Sequence, residues 1–168
     1  MTVVGVDPGL AETGYGVVEA RGSQLRAIDG GVIETAAGKP LERRLVEIAA
    51  ALRELLRSHQ PQAVAFEQIY FGRNAVSALA VGHARGVALL AAGELGIACF
   101  AYTPQQIKEA VCGSGRAGKE QVARMVARLL ALPQPPQPSH TADAFAAAIC
   151  HANSAPLRSA LAALEVGR

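Results

Sequence analysis

Met1-Thr2-Val3-Val4-Gly5-Val6-Asp7-Pro8-Gly9 decides how the rest of the chain is read, because it ends in one carboxylate after a run with no other polar side chain beyond Thr2. An unbroken apolar run of this length predicts a strand buried on both faces. An aspartate at its end is costly unless it is paired or binds a cation. Pro8-Gly9 predicts a sharp turn, and Thr13-Gly14-Tyr15-Gly16-Val17-Val18 predicts a second strand that returns as a hairpin. Asp-Pro-Gly is also good turn chemistry in its own right, so this stretch alone reads equally well with Asp7 as a turn residue or as a functional carboxylate.

Working outward, Gln24-Leu25-Arg26-Ala27-Ile28 and Gly31-Val32-Ile33-Glu34-Thr35 are short β-branched runs around Asp29-Gly30, and predict a third strand with a bulge or two short ones. An antiparallel meander is therefore expected in the first third. From Pro40 the period changes: Leu41, Leu45, Ile48, Leu52, Leu55 and Leu56 recur at three and four, marking an amphipathic helix that ends before Pro61. Ala63-Val64-Ala65-Phe66-Glu67 then repeats the design of the first strand, an apolar run closed by a carboxylate. A strand reached through a crossover helix lies parallel to the first, so Asp7 and Glu67 are expected side by side.

Beyond Glu67 the connector Ile69-Tyr70-Phe71-Gly72-Arg73-Asn74 has no periodic pattern, and Asn74 suits the cap of an Ala- and Gly-rich helix running to about Glu94. Ile97 to Tyr102 predicts a strand. Thr103-Pro104-Gln105-Gln106 has the cap, first-turn proline and glutamine of a capping box, opening a helix to about Val111. Cys112 to Lys119 reads as a flexible basic loop, Lys119 to Leu132 as an amphipathic helix, and Pro133 to Pro138 as a stiff connector. Ser139 caps a last strong helix from His140 to about His151. The expected fold is α/β, a mixed five-stranded sheet of three antiparallel strands and then two parallel ones, flanked by helices. One domain is expected over residues 1–153, with 154–168 a tail that is a short helix or disordered.

The totals agree with one globule: 168 residues at 51% apolar composition bury a substantial core. No apolar stretch of membrane length and no signal-peptide pattern is present, so a cytoplasmic protein without a membrane partner is expected. Cys99, Cys112 and Cys150 are widely spaced and in no paired motif, which argues against a disulfide framework or a structural zinc site. The net charge of +2 points to no partner, but residues 68–131 hold seven Arg or Lys against three Glu. That local excess suits a polyanion, although solvated helix faces often have the same make-up.

Asp7, Glu67 and Asp143 are the acidic residues that interrupt otherwise apolar segments, and His140 stands three before Asp143 on one helical face. Taken singly, His140 and Asp143 read as ordinary first-turn helix chemistry, and Glu67 reads equally well as an exposed strand end or a functional carboxylate. Brought together they form a cluster of three carboxylates and one imidazole, which repels itself unless divalent cations neutralise it. Oxygen-rich ligation favours Mg²⁺ or Mn²⁺, with the imidazole shifting the balance toward Mn²⁺.

Asp7 within Gly5-Val6-Asp7-Pro8-Gly9-Leu10, Thr13-Gly14-Tyr15-Gly16, Phe66-Glu67-Gln68, Asn74 with Ala78-Leu79 and Gly82, Arg85-Gly86, and Ser139-His140-Thr141-Ala142-Asp143-Ala144 resemble RuvC-type Holliday-junction resolvases. The resemblance runs in order through about nine tenths of the chain. It implies a ribonuclease-H-like fold and a homodimer that acts on four-way junction DNA in recombination and DNA repair, beside a branch-migration helicase complex. It also implies paired symmetric incisions by two Mg²⁺ per subunit, with Mn²⁺ a plausible substitute, held by Asp7, Glu67, His140 and Asp143. Such an endonuclease activates water and stabilises the leaving 3′ oxygen, so the products are a 5′-phosphate and a 3′-hydroxyl. Many members carry aspartate where this chain has His140; histidine is a recognised variant that bears on metal preference.

By the same resemblance Lys108 and Lys119 match two lysines near the scissile strand, where an ammonium neutralises the phosphate or protonates the leaving group. Lysine is scarce here, three against 13 arginines, and two of the three fall at these positions. Tyr70 matches an aromatic that stacks on an unpaired base at the junction centre, while Phe71 either joins it or covers the sheet edge. Arg73, Asn74, Arg85 and Arg116 complete the expected DNA-binding set. The helix from Asn74 to Glu94 is a candidate dimer surface, or packs internally, or does both on opposite faces.

Two other classes compete. A junction-binding module with a decayed cutting site is disfavoured by the intact acidic set. A phosphotransferase of the actin-like and sugar-kinase type, with Asp7-Pro8-Gly9 and Thr13-Gly14 as its phosphate hairpin, needs two such domains, and this chain has room for one.

Overall fold

A computed structural model describes residues 1–68 and 75–166. Three strands, β1 (Thr2–Asp7), β2 (Glu12–Arg21) and β3 (Gln24–Glu34), precede helix α1 (Leu41–His59), strand β4 (Ala63–Glu67) and helix α2 (Ala75–Glu94). Strand β5 (Ala98–Tyr102) is followed by α3 (Pro104–Cys112), α4 (Lys119–Leu129) and α5 (Ser139–Val166). The sheet order is β3-β2-β1-β4-β5. β1, β2 and β3 pair antiparallel, and β4 and β5 run parallel to β1, which is the mixed sheet that the pattern of runs predicts.

β1 is central and packed on both faces, which is why its sequence is unbroken apolar rather than alternating. Val4 and Val6 join Val64 and Phe66 beneath Ile48, Leu52 and Leu56 of α1 and Ala84 and Ala88 of α2. Val3 joins Val18, Ala65 and Tyr102 beneath Phe145 and Ile149 of α5, with α3 and α4 closing that layer. At Gly5 the helix comes so near that a methyl group would collide with the Ala144 carbonyl. The closeness of α5 to the sheet is therefore set by the absence of a side chain there.

Where the sequence left two possibilities, β3 is one strand. Val17 pairs with Asp29 but Val18 with Ala27, so Ile28 is the extra residue of a bulge. α3 carries the predicted capping box, the Thr103 side chain accepting from the Gln106 N–H while the Gln106 side chain accepts from the Thr103 N–H. The segment predicted as a flexible loop is a short turn between α3 and α4, anchored by Ala117 at 3% exposure in the α5-side core. α4 stops at Leu129, three residues early, because the chain turns through the left-handed region at Ala131. α5 passes its expected end at His151 and continues to Val166; the Ala- and Leu-rich sequence after residue 151 has strong helix propensity, which outweighs Pro156. Among the described residues no helix is long and apolar enough to cross a membrane.

Candidate active site

Strand alternation decides which side chains meet. On β1, Val3 and Gly5 face α5 while Val4 and Val6 face α1 and α2, so Asp7 falls on the α5 face. On β4, Ala65 belongs to the α5 side and Val64 and Phe66 to the other, so Glu67 falls on the same face as Asp7. Gly14, the register partner of Asp7, has no room for a methyl group, which would strike the His140 carbonyl and lie 2.9 Å from His140 Cβ. The first turn of α5 therefore rests directly on the strand ends. His140 and Asp143, one turn apart, both project over Asp7.

The resulting group is compact. His140 Nδ1 lies 2.7 Å from Asp7 Oδ2. One ligand atom from each of Asp7, His140 and Asp143 falls within 4.8 Å of the others. Ligands about 2.1 Å from one Mg²⁺ stand at most about 4.2 Å apart, so sub-ångström side-chain shifts close this set around a single ion. Two carboxylates and an imidazole are donors suited to Mg²⁺ or Mn²⁺. Glu67 stands beside this trio rather than inside it, lining a cleft of about 300 Å³ with Asp143, Lys108 and Lys119 and with walls of Pro104, Ile107 and Val122.

Electrostatics support a cation-accepting role. Burial pushes the Asp7 carboxyl above the ordinary carboxylate range; its hydrogen bond to His140 pulls it back, and Asp143 pushes it further up. Burial also raises the Glu67 carboxyl, and the neighbouring Asp7 and Asp143 add to the rise. The Lys119 ammonium sits 2.9 Å from Asp143 Oδ2, and that hydrogen bond raises its pKa. Lys119 thus gives the acidic set a cation at its rim.

Of the other residues singled out in the sequence, Arg85 turns back onto the sheet. Its Nη1 donates to the Glu67 backbone carbonyl at 2.7 Å, and its guanidinium lies 5.2 Å from the centre of the Phe66 ring. The Gln68 N–H, one residue on, donates to the Tyr102 carbonyl at 2.8 Å. The end of β4 is therefore held through its backbone from two sides. Arg116 is exposed in the turn that leads to Lys119. Tyr70, Phe71, Arg73 and Asn74 lie outside the described residues. One residue that sequence reasoning passed over comes close: Glu12, at the start of β2, places Oε2 3.7 Å from His140 Nε2. A glutamate just after a turn looks like any solvated strand end, so nothing in the sequence marked it.

The family model described as crossover junction endodeoxyribonuclease RuvC matches residues 3–151. The chain is 51% identical over 158 residues to the crossover junction endodeoxyribonuclease RuvC of Moorella thermoacetica, covering 94% of this chain and 95% of that protein. Against the protein of the same name from Thermomicrobium roseum it is 52% identical over 151 residues, covering 90% and 92%. The solved structure of Thermus thermophilus RuvC matches with a TM-score of 0.87 at 42% identity, covering 94% of this chain and 97% of that one. T. thermophilus RuvC in complex with a Holliday junction substrate matches with the same TM-score at 40% identity, covering 94% and 96%. With Asp7, His140 and Asp143 gathered beside the cleft that Glu67 lines, and its relatives matched over nine tenths of its length, the chain belongs to the RuvC family of crossover junction endodeoxyribonucleases.

Proposed function

We propose that this protein is a Holliday-junction resolvase: a homodimeric endonuclease of recombination and repair that cuts four-way junction DNA by paired symmetric incisions, leaving 5′-phosphate and 3′-hydroxyl ends. The observation that carries the reading is the convergence of Asp7, His140 and Asp143 within 4.8 Å beside a cleft shared by Glu67, Lys108 and Lys119. Asp7, His140, Asp143 and Glu67 would hold two Mg²⁺, or Mn²⁺ in their place, which supply Lewis-acid stabilisation of the phosphate and a water nucleophile at neutral pH.

The chain's own residues do the rest. Asp7 is held in place by its seat under the first turn of α5, so its carboxylate would fix where a cation, and through it the reacting phosphate, sits. Glu67 faces the cleft from a strand end braced by Arg85, which places its carboxylate to hold a cation beside the scissile group. Lys119 pairs with Asp143 at 2.9 Å in the protein alone. With the carboxylates holding cations, its exposed ammonium would be available to the phosphate, where a positioned positive charge stabilises the pentacovalent state. Lys108 lines the same cleft and serves the leaving oxygen. Arg116, with Tyr70, Phe71, Arg73 and Asn74, contacts the junction strands, giving salt-sensitive binding that carries little sequence information.

The homodimer reading rests on α2. Leu79, Leu89 and Leu90 are 61%, 38% and 55% exposed, and methyl groups added at Gly82, Gly86 and Gly93 would meet nothing within 4 Å. A smooth apolar helix face of this kind is what a second copy covers.

Incubating the protein with a synthetic mobile four-way junction and a matched linear duplex, with Mg²⁺, Mn²⁺ or chelator, tests the reading. Paired nicks on the junction, lost with chelator and with Asp7→Asn, are the expected products. Tight junction binding without cutting under either metal would make the protein a structural binder and remove the catalytic assignment.

A further inference from the structure

We infer that Glu12 is a positioning residue for His140: it takes the far ring nitrogen and so keeps Nδ1 aimed at the cation held with Asp7 and Asp143. The inference rests on the metal-centre reading above and concerns which groups make that centre rigid.

Three observations converge on Glu12. It lies on the α5 face of β2, since Gly14 and Gly16 further along the strand are the positions where α5 residues His140 and Phe145 leave no room for a side chain. Its backbone is fixed from both neighbours: the Thr35 N–H donates to the Ala11 carbonyl at 3.0 Å, and the fully buried Thr13 donates its hydroxyl to the Gly9 carbonyl at 2.6 Å. Its register partner on β3 is Glu34. Two carboxylates directly opposite each other weaken a sheet, so Glu12 is not there to stabilise the strand pair.

The imidazole supplies the reason. A neutral ring offers one N–H and one lone pair, and a ligating histidine ordinarily donates its remaining N–H to a carboxylate or carbonyl, which fixes tautomer and orientation. Nδ1 faces Asp7 at 2.7 Å and Nε2 faces Glu12 at 3.7 Å. When a cation replaces the Nδ1 to Asp7 hydrogen bond, the ring's N–H belongs on Nε2, and Glu12 is the acceptor on that side. The present 3.7 Å is longer than a hydrogen bond, and a rotation of the half-exposed Glu12 side chain covers the remaining ~0.8 Å.

Calorimetric titration of the full chain with Mn²⁺ alone tests this, together with ¹⁵N NMR of the His140 ring with Mg²⁺. Glu12→Ala is expected to weaken Mn²⁺ binding about tenfold or more, the usual size for losing such an outer partner. Glu12→Gln, whose amide oxygen still accepts, should recover most of that loss. Glu34→Ala removes the same charge from the next strand and should change affinity less than about twofold, because exposed charges are screened. In a His140→Ala background Glu12→Ala should have no further effect. With Mg²⁺ present the ring should be the single Nε2–H tautomer in the natural protein, and in Glu12→Ala a mixture in which part of the population no longer ligates through Nδ1. If Glu34→Ala weakens binding as much as Glu12→Ala, a general field is at work and the inference falls. If His140→Ala weakens binding while Glu12→Ala does not, the inference falls and the metal centre stands. If the natural protein takes up no Mn²⁺, or His140→Ala changes nothing, the metal-centre reading itself falls and the inference with it.

Discussion

β1 and β4 are built alike, each an apolar strand closed by a carboxylate, yet their last residues are held in different ways. Asp7 is caught between β2 and the first turn of α5 and hydrogen-bonded to His140, with Gly14 opposite it in the register. Glu67 is held through its backbone by Arg85, while its side chain faces an open cleft with Lys108 and Lys119. One strand end thus presents a carboxylate tied to a helix side chain, and the other a carboxylate that faces the cleft. The run of residues sets where each acid appears, and the neighbours set how firmly it is held. A site that both holds a cation and receives a reacting phosphate has use for one of each.

The largest effect that separates the two ends is on metal and catalysis. Asp7→Asn and Glu67→Gln should each lower single-turnover junction cleavage by about a thousandfold, the scale of losing several kcal/mol of charge stabilisation. Mn²⁺ titration should then part them: Asp7→Asn weakens the first ion bound about tenfold or more, and Glu67→Gln by less than about threefold. Equal weakening by both would place Glu67 in the same tight ligand set, and the contrast between the two strand ends would disappear.

Next in size is a stability contrast at paired positions. Gly5 of β1 stands opposite Ala65 of β4, and both face α5. A methyl group is fully buried on Ala65, yet on Gly5 it would collide with the helix backbone. Gly5→Ala should cost about 3 kcal/mol in urea unfolding, the upper end for overpacking, whereas Ala65→Gly should cost about 1 kcal/mol. A mild Gly5→Ala would mean that α5 can lift from β1, and the close seating of His140 over Asp7 would lose its cause.

Smaller again is the effect of the brace. Arg85→Leu removes the bond to the Glu67 carbonyl and the contact with Phe66. It should cost about 1–2 kcal/mol of stability and slow cleavage about tenfold through misplacement of the strand end. Mn²⁺ affinity of the Asp7 trio should be unchanged. Loss of that affinity would show that the two ends are mechanically one.

What the sequence revealed follows from the reach of its patterns. Asp7 and Glu67 stood out because each interrupts a buried run, and His140 and Asp143 because a spacing of three puts two side chains on one helical face. The place of β4 beside β1 followed from the change of period and the crossover rule. Arg85 gave no hint of its brace, since an arginine in an Ala-rich helix looks like a solvated face until the helix is laid on Phe66. Glu12 was silent for a related reason: its neighbour is 128 residues away in the chain and lies across a helix-on-strand contact that two glycines make possible. The bulge at Ile28 and the length of α5 depended on competitions, one of register and one of propensity against a single proline, that local reading leaves open.

The smallest effect, and the most direct reading of how tightly Asp7 is enclosed, is thermal. Burial raises the Asp7 carboxyl above its ordinary value near 3.8, so the fold holds that proton more firmly than the unfolded chain does. The associated stability is fully present below the ordinary value and is lost as pH rises through the folded one. At neutral pH the ionised Asp7 therefore weakens the metal-free fold, and Asp7→Asn is expected to relieve it while removing the catalytic role proposed for Asp7. Metal-free Asp7→Asn should melt about 2–4 °C above the natural protein at pH 7, as expected if the relief is about 1 kcal/mol in a domain of this size, and the difference should shrink toward pH 4. Saturating Mg²⁺ should reverse the order, since binding the folded state stabilises the natural protein and not the variant. If the two proteins melt alike from pH 4 to pH 7, Asp7 is better hydrated than its position between Gly14 and α5 implies. In that case it is no more constrained than Glu67, and the two strand ends differ in sequence but not in physics.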